Sequence, residues 1–184
     1  VKPYPRSQRV QILFDFRPTD YQGLVLDYPE TVNRAQVAPQ KGRQTGATTI
    51  AGVIGGDHVL TNPGNDTLYT APGQDTADEM FSEFKDAFKD GPFTLEEYGV
   101  EKANEREWEI DTGARALSRT LGNVNQDNNS GNRGFIPTCV VVDEAAYTYD
   151  AVFDDELEPF FITHPEYEYY LFSTPARESG YYYE

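Results

Sequence analysis

A chain of 184 residues with 38% hydrophobic residues can bury one sizeable core, and its length indicates a single domain. It has 31 acidic and 15 basic side chains, which give a formal net charge of −16. This balance argues against a passive nucleic-acid-binding protein, because phosphate contacts need clustered lysine and arginine. A carboxylate-rich surface stays solvated in high salt, so we expect a halophilic source. The alternative is a solvated acidic surface that indicates no particular partner.

The chain has few cysteine and histidine residues. Cys139 is the single cysteine, so no internal disulfide can form, which suggests a reducing compartment. His58 and His164 lack the spacing of a zinc site, and we expect structural or surface roles for both. The sequence has no signal peptide and no apolar run near the length of a membrane span, so we expect no membrane association.

The first part of the chain predicts a strand, a helix and a second strand. Residues 10–16, VQILFDF, predict a short strand. Thr19 or Asp20 can cap a helix within residues 17–32, where apolar side chains recur at helical spacing. Residues 34–40 predict another short strand, which leads directly into a glycine-containing loop.

That loop is KGRQTGATT, residues 41–49, and it precedes a second α/β repeat. A helix is expected from about Thr48, with Gly55-Gly56 at its end. Residues 67–72, TLYTAP, predict the next strand.

The middle of the chain combines an amphipathic helix with mixed structure. Residues 75–90 predict a helix with an apolar stripe that we assign to the core: Met80, Phe81, Phe84 and Phe88. Residues 107–111 and 114–120 are candidate strands within a mixed region.

The last third of the chain returns to alternating strands and helices. Residues 123–134 predict a polar loop, and TCVVVDEAAY, residues 138–147, predicts a strand buried on both faces. A helix around 151–161 and a strand over 168–175 follow. Together the elements predict an α/β fold with helices on both faces of a mostly parallel sheet.

KGRQTGATT is similar to a phosphate-binding loop, with one departure. Such loops end in Gly-Lys-Ser/Thr, whereas here Gly46 is followed by Ala47 and Thr48. Backbone N–H groups at the start of a helix can hold phosphate whatever the side chains, and Thr48 stands where a Mg²⁺-binding hydroxyl is expected. The missing positive charge has two candidate sources, Lys41 and Arg43.

Two acids end the apolar run of the buried strand predicted within residues 138–147. Asp143 and Glu144 come at the carboxyl end of this run, where open α/β sheets form their ligand crevice. An Asp in this place can hold Mg²⁺, and a Glu one residue later can polarise the water that attacks a γ-phosphate. The loop and the acid pair, in this order, predict a nucleotide site.

These motifs resemble the large terminase subunit, the DNA-packaging ATPase of tailed viruses, over nearly the whole chain. The similar segments are DYQ at 20–22, KGRQTGATT at 41–49, TLYTAPGQDTADEMF at 67–81, NRGFIPTCVVVDEAAY at 132–147 and FSTPARESGYYYE at 172–184. The resemblance implies a three-layer αβα P-loop NTPase fold of the RecA/ASCE-like type. With the acidic charge, it leads us to expect a haloarchaeal tailed virus.

The resemblance also implies a site, residue by residue. The catalytic group would be Glu144, Lys41 and Arg43, with Lys41 in the usual lysine's role. ATP would be bound by Tyr21, Gln22, Lys41, Gly42, Arg43, Gln44, Thr45, Gly46, Ala47, Thr48 and Thr49. Mg²⁺ would be held by Thr48 and Asp143, and hydrolysis would be coupled to movement through Ser173 and Thr174.

As a whole protein of this family, the chain would be a Mg²⁺-dependent ATPase that moves double-stranded DNA into a procapsid. The expected partners are DNA, the portal protein, the small terminase subunit and sister subunits in a ring, for which we expect five copies. We expect a location in the host cytoplasm and transiently on the procapsid. Arg115 and Arg119 are candidates for an arginine finger that acts on a neighbouring subunit.

Residues 1–184 would form one ATPase domain, expected to be incomplete at its carboxyl end and without the family's nuclease domain. Two other functions remain open. A helicase-like ATPase shares these motifs but needs a second RecA-like domain. A nucleotide-binding assembly module with little hydrolysis would follow if Ala47 inactivates the loop.

Overall fold

A seven-stranded sheet organises the chain in the computed structural model, which describes residues 4–39, 46–121, 135, 137–162, 164–174 and 181–182. The strands are β1 Arg34–Val37, β2 Asp66–Ala71, β3 Val100–Ala103, β4 Glu107–Ile110, β5 Arg115–Thr120, β6 Pro137–Val142 and β7 Tyr167–Leu171. They lie in the order β1-β7-β6-β2-β5-β4-β3. The first five in this order are parallel, and β4 and β3 add an antiparallel edge.

Helices cover both faces of the sheet. The α-helices before β3 are α1 Arg6–Phe14, α2 Asp20–Asp27, α3 Ala47–Thr61 and α4 Gln74–Asp90. A later helical segment comprises α5 Asp150–Val152, a π-helical turn Phe153–Leu157 and α6 Glu158–Ile162. The first four helices contribute to one buried cluster and the later segment to a second, on the opposite side of the strands. The predicted three-layer α/β architecture with a mostly parallel sheet is confirmed.

The apolar stripe of α4 is core, as its spacing predicts. Met80, Phe81, Phe84 and Phe88 are all at most 1% exposed. Phe84 and Phe88 pack against the ring of Trp108 on β4, with centroids 5.6 and 5.8 Å away. This contact fixes α4 across the sheet towards its antiparallel edge.

The predicted strand at 10–16 is wrong, because these residues belong largely to α1. The alternation of apolar residues there suggests a period of two. In the structure Val10 and Phe14 are buried on one helical face, whereas Ile12 between them is 54% exposed. Arg6 and Arg9 complete the buried face at helical spacing, and their burial is not expected from charge.

The predicted end of α3 at Gly55-Gly56 is also wrong, since the helix continues to Thr61. These glycines serve close packing instead. A Cβ on Gly55 would lie 2.0 Å from the hydroxyl oxygen of Tyr69, and one on Gly56 would lie 2.7 Å from the ring of Phe14.

The other predicted elements are present, with ends shifted by a few residues. Thr19 caps α2 in a capping box with Gln22. The predicted loop at 123–134 lies outside the described residues. Among the helices that the structure describes, none has the length and apolar character of a membrane span.

An ion cluster with a buried centre holds α1 at the amino ends of the parallel strands. We call Arg6, Arg9, Glu30, Asp57 and Glu168 the amino-edge cluster; Arg6, Arg9 and Asp57 are its buried members. Arg6 binds Asp57 and Glu168, each at 2.7 Å, and Arg9 binds Asp57 and Glu30, each at 2.6 Å. The side chains of Arg6 and Asp57 have no exposed surface. The cluster therefore joins α1, the far end of α3, β7 and the turn after α2.

His58 lies beside this cluster and is a buried structural residue. Its Nε2 lies 3.0 Å from the hydroxyl of Thr138, and it is only 4% exposed. A nitrogen of His58, the sulfur of Cys139 and an oxygen of Glu168 lie within 4.8 Å of one another. Arg6 already binds both oxygens of Glu168, so we interpret these three groups as part of the surroundings of the amino-edge cluster and not as a metal site.

Candidate nucleotide site

The carboxyl ends of the parallel strands bring the predicted site residues to one edge of the sheet. Gly46 and α3 come after β1, Asp143-Glu144 after β6, and Ser173 after β7. β7 lies between β1 and β6, so the strand before Ser173 separates the loop strand from the acid-pair strand. With about 4.8 Å between neighbouring strands, β1 and β6 are about 10 Å apart. We call this the carboxyl edge.

The start of α3 has the geometry of an anion-binding helix terminus. Gly46 has φ 67° and ψ 27°, a left-handed conformation in which a side chain would be strained, and no side chain among the described residues caps the helix. The first N–H groups of an α-helix, here those of Ala47, Thr48 and Thr49, have no partner within the helix and can bind an anion. Lys41, Gly42, Arg43, Gln44 and Thr45 lie outside the described residues.

Gln22 lies directly against this helix start. A Cβ on Gly46 would be 2.9 Å from the side-chain nitrogen of Gln22. The side-chain oxygen of Gln22 accepts a hydrogen bond of 2.9 Å from the backbone N–H of Thr19, which fixes the orientation of the amide. The capping box of α2 therefore aims the amide nitrogen of Gln22 at the end of the loop.

A small apolar pocket lies next to Gln22, between α2 and the end of β1. Its volume is about 320 Å³, which is in the range of small-molecule sites, and its lining residues are Tyr21, Leu24, Val25, Tyr28, Val37, Ala38 and Pro39. Tyr21 is 45% exposed, and partial burial raises the pKa of its hydroxyl. The pocket offers an aromatic and aliphatic surface to a flat ligand group.

Asp143 and Glu144 have different environments despite being adjacent. Asp143 is 5% exposed, and one carboxylate oxygen accepts the backbone N–H of Glu144 at 2.7 Å. Its own N–H donates to the carbonyl of Thr70 at the end of β2, at 2.9 Å. Glu144 is exposed and has φ 53°, which is unusual for a residue with a side chain. Asp143 is thus held in place, while Glu144 projects into solvent from a strained backbone.

Ser173 connects the acid pair to the neighbouring strand. Its side chain is buried, and its Oγ accepts the N–H of Ala146 at 3.2 Å and donates to the carbonyl of Thr174 at 3.0 Å. The N–H of Ala145 donates to Phe172 at 3.2 Å. The turn after Glu144 and the end of β7 are therefore joined by hydrogen bonds, and Thr174 at their margin is exposed.

The chemistry of this edge suits a phosphate ester with a hard cation. The hydroxyl of Thr48 and the carboxylate of Asp143 offer oxygen atoms, which are the ligands that Mg²⁺ prefers. The N–H groups of α3 and the positive end of its dipole favour an anion beside them. The residues present therefore fit both Mg²⁺ and a polyphosphate.

The two candidate finger arginines lie along β5. Arg115 binds Asp66 at 2.7 Å, at the amino ends of β5 and β2, so a contact with a neighbouring subunit would require this ion pair to break. Arg119 lies nearer the carboxyl end of β5, with its guanidinium carbon 5.4 Å from the centre of the Phe135 ring.

One residue at this edge is not found by sequence reasoning. The hydroxyl of Tyr182 lies 3.2 Å from the carbonyl oxygen of Ser173 and 3.5 Å from that of Pro39. The sequence shows only a run of three tyrosines, 181–183, near its end. Nothing in such a run indicates which hydroxyl reaches the site.

Comparison with known proteins gives a match in structure but not in sequence. No protein-family model and no curated protein matches the chain. The large terminase ATPase domain of Thermus phage P74-26 is similar, with a TM-score of 0.72 and 18% identity over all of this chain and 73% of that one. A point variant of that domain gives a TM-score of 0.73 with 17% identity, over all of this chain and 74% of the other.

The large terminase of bacteriophage HK97 is also similar. The TM-score is 0.68 with 14% identity, over 93% of this chain and 38% of that one. At these identities the likeness concerns the fold alone. The chain therefore has the fold of the ATPase domains of these phage large terminases.

Proposed function

We propose that this chain is the ATPase domain of a viral DNA-packaging motor, which hydrolyses ATP with Mg²⁺ to move double-stranded DNA into a procapsid. The observation that carries the proposal is the carboxyl edge itself. There the uncapped start of α3, the Asp143-Glu144 pair and Ser173 follow three neighbouring parallel strands. The fold shared with terminase ATPase domains supports the same proposal.

The phosphates of ATP would be held by the loop and the start of α3. The N–H groups of residues 46–49 would donate to phosphate oxygens, and Lys41 would supply the positive charge that Ala47 does not. Arg43 would stabilise charge that develops on the γ-phosphate in the transition state. Bound Mg²⁺, held by Thr48 and Asp143, would neutralise charge on the phosphate oxygens.

Glu144 would orient and polarise the attacking water. This role needs an ionised carboxylate that can reach the γ-phosphate, and Glu144 is exposed at the same edge as the start of α3. The neighbouring Asp143 is buried and accepts a hydrogen bond from the backbone N–H of Glu144. This bond fixes the position of the Glu144 backbone, from which its side chain extends. The two acids thus divide the work of binding metal and activating water.

The adenine base would lie in the apolar pocket beside Gln22. Tyr21 and the aliphatic lining would contact the faces of the base, and the Gln22 amide would hydrogen-bond its edge. The contact between Gln22 and Gly46 would place base recognition next to phosphate binding.

Ser173 and Thr174 would transmit the loss of the γ-phosphate to the moving parts of the motor. Ser173 is bonded to the turn that follows Glu144, so a displacement of that turn reaches the end of β7 directly. The portal, the small terminase subunit, DNA and a ring of sister subunits, five in our proposal, would be the partners. The site of action would be the procapsid in the host cytoplasm, and Arg119 or Arg115 would serve a neighbour's site.

Hydrolysis of ATP by the wild type and three variants in molar KCl tests this function. We expect the wild type to hydrolyse ATP only with Mg²⁺, and Lys41→Ala and Glu144→Gln to lower the rate by about two to four orders of magnitude. Glu144→Gln should still bind ATP, because its carboxylate acts on water. The matched control is Glu96→Gln, an exposed acid far along the chain from the site, which should leave the rate unchanged.

A specific residue favours one other function. Ala47 occupies the position of the usual lysine, so the domain could instead be an assembly module that binds nucleotide without turnover. That function is supported if the wild type binds ATP and only Ala47→Lys hydrolyses it. The saline source stays a prediction from the net charge of −16.

A further inference from the structure

Tyr182 occupies a position that connects three parts of the proposed site. Pro39 follows β1 and is the last described residue before the loop, whereas Ser173 follows β7. The hydroxyl of Tyr182 is within hydrogen-bond distance of both carbonyl oxygens, 3.2 Å for Ser173 and 3.5 Å for Pro39. The two acceptors follow adjacent parallel strands, at the edge where nucleotide would bind.

The neighbouring residue anchors Tyr182 to the helical layer after the acid pair. The ring of Tyr181 stacks on Phe153, with centroids 4.5 Å apart and planes 5° from parallel. Its N–H donates to Asp150 at 3.0 Å, and its hydroxyl donates to Glu158. Tyr181 thus fixes the segment, and Tyr182 extends from it to the two carbonyl groups.

A tyrosine hydroxyl has one proton and can donate one strong hydrogen bond at a time. Both distances are longer than the usual 2.7–2.8 Å of an O–H···O bond, so neither carbonyl holds the proton in a short bond. A relative shift of a few tenths of an ångström between the ends of β1 and β7 would decide which carbonyl is preferred. Burial raises the pKa of Tyr182, and the nearby Tyr21 raises it further, so the hydroxyl remains a donor at neutral pH.

Ser173 makes the connection continuous. Its carbonyl accepts from Tyr182, and its Oγ accepts the N–H of Ala146 in the turn after Glu144. The path therefore runs from that turn through Ser173 and the Tyr182 hydroxyl to Pro39 at the loop entrance. Each link is a hydrogen bond whose partners lie on different elements.

We propose that Tyr182 is a positioning residue that couples the phosphate-binding loop to the Ser173 strand by transferring its hydrogen bond between Ser173 and Pro39. This inference rests on the proposed ATPase function. Release of the γ-phosphate shifts the turn after Glu144, Ser173 moves with it, and the Tyr182 hydroxyl, which keeps its proton, turns its hydrogen bond to the carbonyl of Pro39. The loop entrance is then held in a different position relative to β7.

The test compares Tyr182→Phe with Tyr181→Phe in the full chain. Tyr182→Phe keeps the ring and removes the proton that the two carbonyls share. We expect kcat for ATP hydrolysis to fall about three- to tenfold, as for one lost hydrogen bond, with KM and the Kd for ATP changed less than about twofold. Tyr181→Phe removes the hydroxyl that donates to Glu158 and leaves the Tyr182 hydroxyl in place, so it should lower the melting temperature without changing kcat.

Several outcomes would overturn the inference, and they are distinguishable. If the wild type hydrolyses ATP and Tyr182→Phe has the same kcat, the ATPase function stands and Tyr182 has no coupling role. If both variants lower kcat equally, the effect is one of general stability and the inference is wrong. If the wild type binds but does not hydrolyse ATP, the proposed function fails first and the inference fails with it.

Discussion

The two edges of the parallel sheet are built in opposite ways. At the amino edge, two arginines and three acids form a cluster around the buried Asp57 with contacts of 2.6 to 2.7 Å, and this cluster joins segments up to 162 residues apart. At the carboxyl edge, Gly46 and Glu144 have left-handed backbone conformations, and Glu144 is exposed. Ion pairs fix the amino edge, whereas the carboxyl edge has exposed polar groups and strained backbone of the kind found at ligand sites.

The difference shows where this fold obtains rigidity. α3 runs from the carboxyl edge, at Ala47, to the amino-edge cluster, at Asp57. β7 likewise carries Glu168 in the cluster and is followed by Ser173 at the site. The two elements that lead to the proposed site are thus anchored at their far ends by the amino-edge cluster.

The largest expected effect comes from breaking the amino-edge cluster. Asp57→Asn removes the fully buried carboxylate that Arg6 and Arg9 share and leaves each arginine with one less charged partner, so we expect it to lower the free energy of unfolding by about 3–5 kcal/mol. Denaturant unfolding measures this change. Asp86→Asn, which alters an exposed ion pair with Lys89, is the control and should cost under about 0.5 kcal/mol. Equal losses in the two variants would mean that the cluster does not anchor the fold.

A smaller effect is expected from acid, through Glu168. Burial would raise the pKa of this carboxyl, but the charge and hydrogen bonds of Arg6 outweigh burial and lower it from 4.5 to about 2. Since the pKa is lower in the folded than in the unfolded protein, the stabilisation is complete above about pH 4.5 and is lost as the pH falls towards about 2. Over this pH range we expect the free energy of unfolding to fall by about 3 kcal/mol because of Glu168.

Unfolding free energies measured between pH 6 and pH 2 check this dependence. Glu168→Gln should be less stable than the wild type at pH 6, and its stability should fall less steeply between pH 4.5 and pH 2. Glu101→Gln, an exposed acid on β3, should keep the steep wild-type profile. If Glu168→Gln has that profile too, other carboxyl groups cause the acid sensitivity.

The smallest expected effect is at the carboxyl edge. Glu144→Gly removes the side chain that strains a left-handed backbone, so we expect the free energy of unfolding to rise by up to about 1 kcal/mol while ATP hydrolysis is lost. Glu144→Gln, which keeps the side-chain shape, should leave stability unchanged. A marked loss of stability in Glu144→Gly would contradict the view that this edge stores strain for function.

The sequence predicts the carboxyl edge better than the amino edge, for a physical reason. A glycine-containing loop before a helix and an acid pair after a buried strand are local patterns, and parallel strands bring their ends together automatically. Arg6, Asp57 and Glu168 follow no local pattern, and only the folded chain brings them together. The same cluster explains the error over 10–16, because the two arginines on the buried face of α1 cannot be recognised as buried from their charge.

Tyr182 and the interior position of Gly55 are missed for a related reason. Glycine often ends helices, and only the hydroxyl of Tyr69 against Gly55 shows why it is needed inside α3. The reach of Tyr182 depends on the stacking of Tyr181 on Phe153, a contact between distant segments. The roles of Lys41 and Arg43 remain predictions from the sequence.

A crystal structure with Mg²⁺ and a non-hydrolysable ATP analogue tests the central claim most directly. We expect the phosphates at the N–H groups of residues 46–49, Mg²⁺ between Thr48 and Asp143, and the adenine base in the pocket beside Gln22. Binding of the analogue elsewhere, for example in the cleft of about 630 Å³ lined by His58 and Glu168 at the opposite edge, would contradict it.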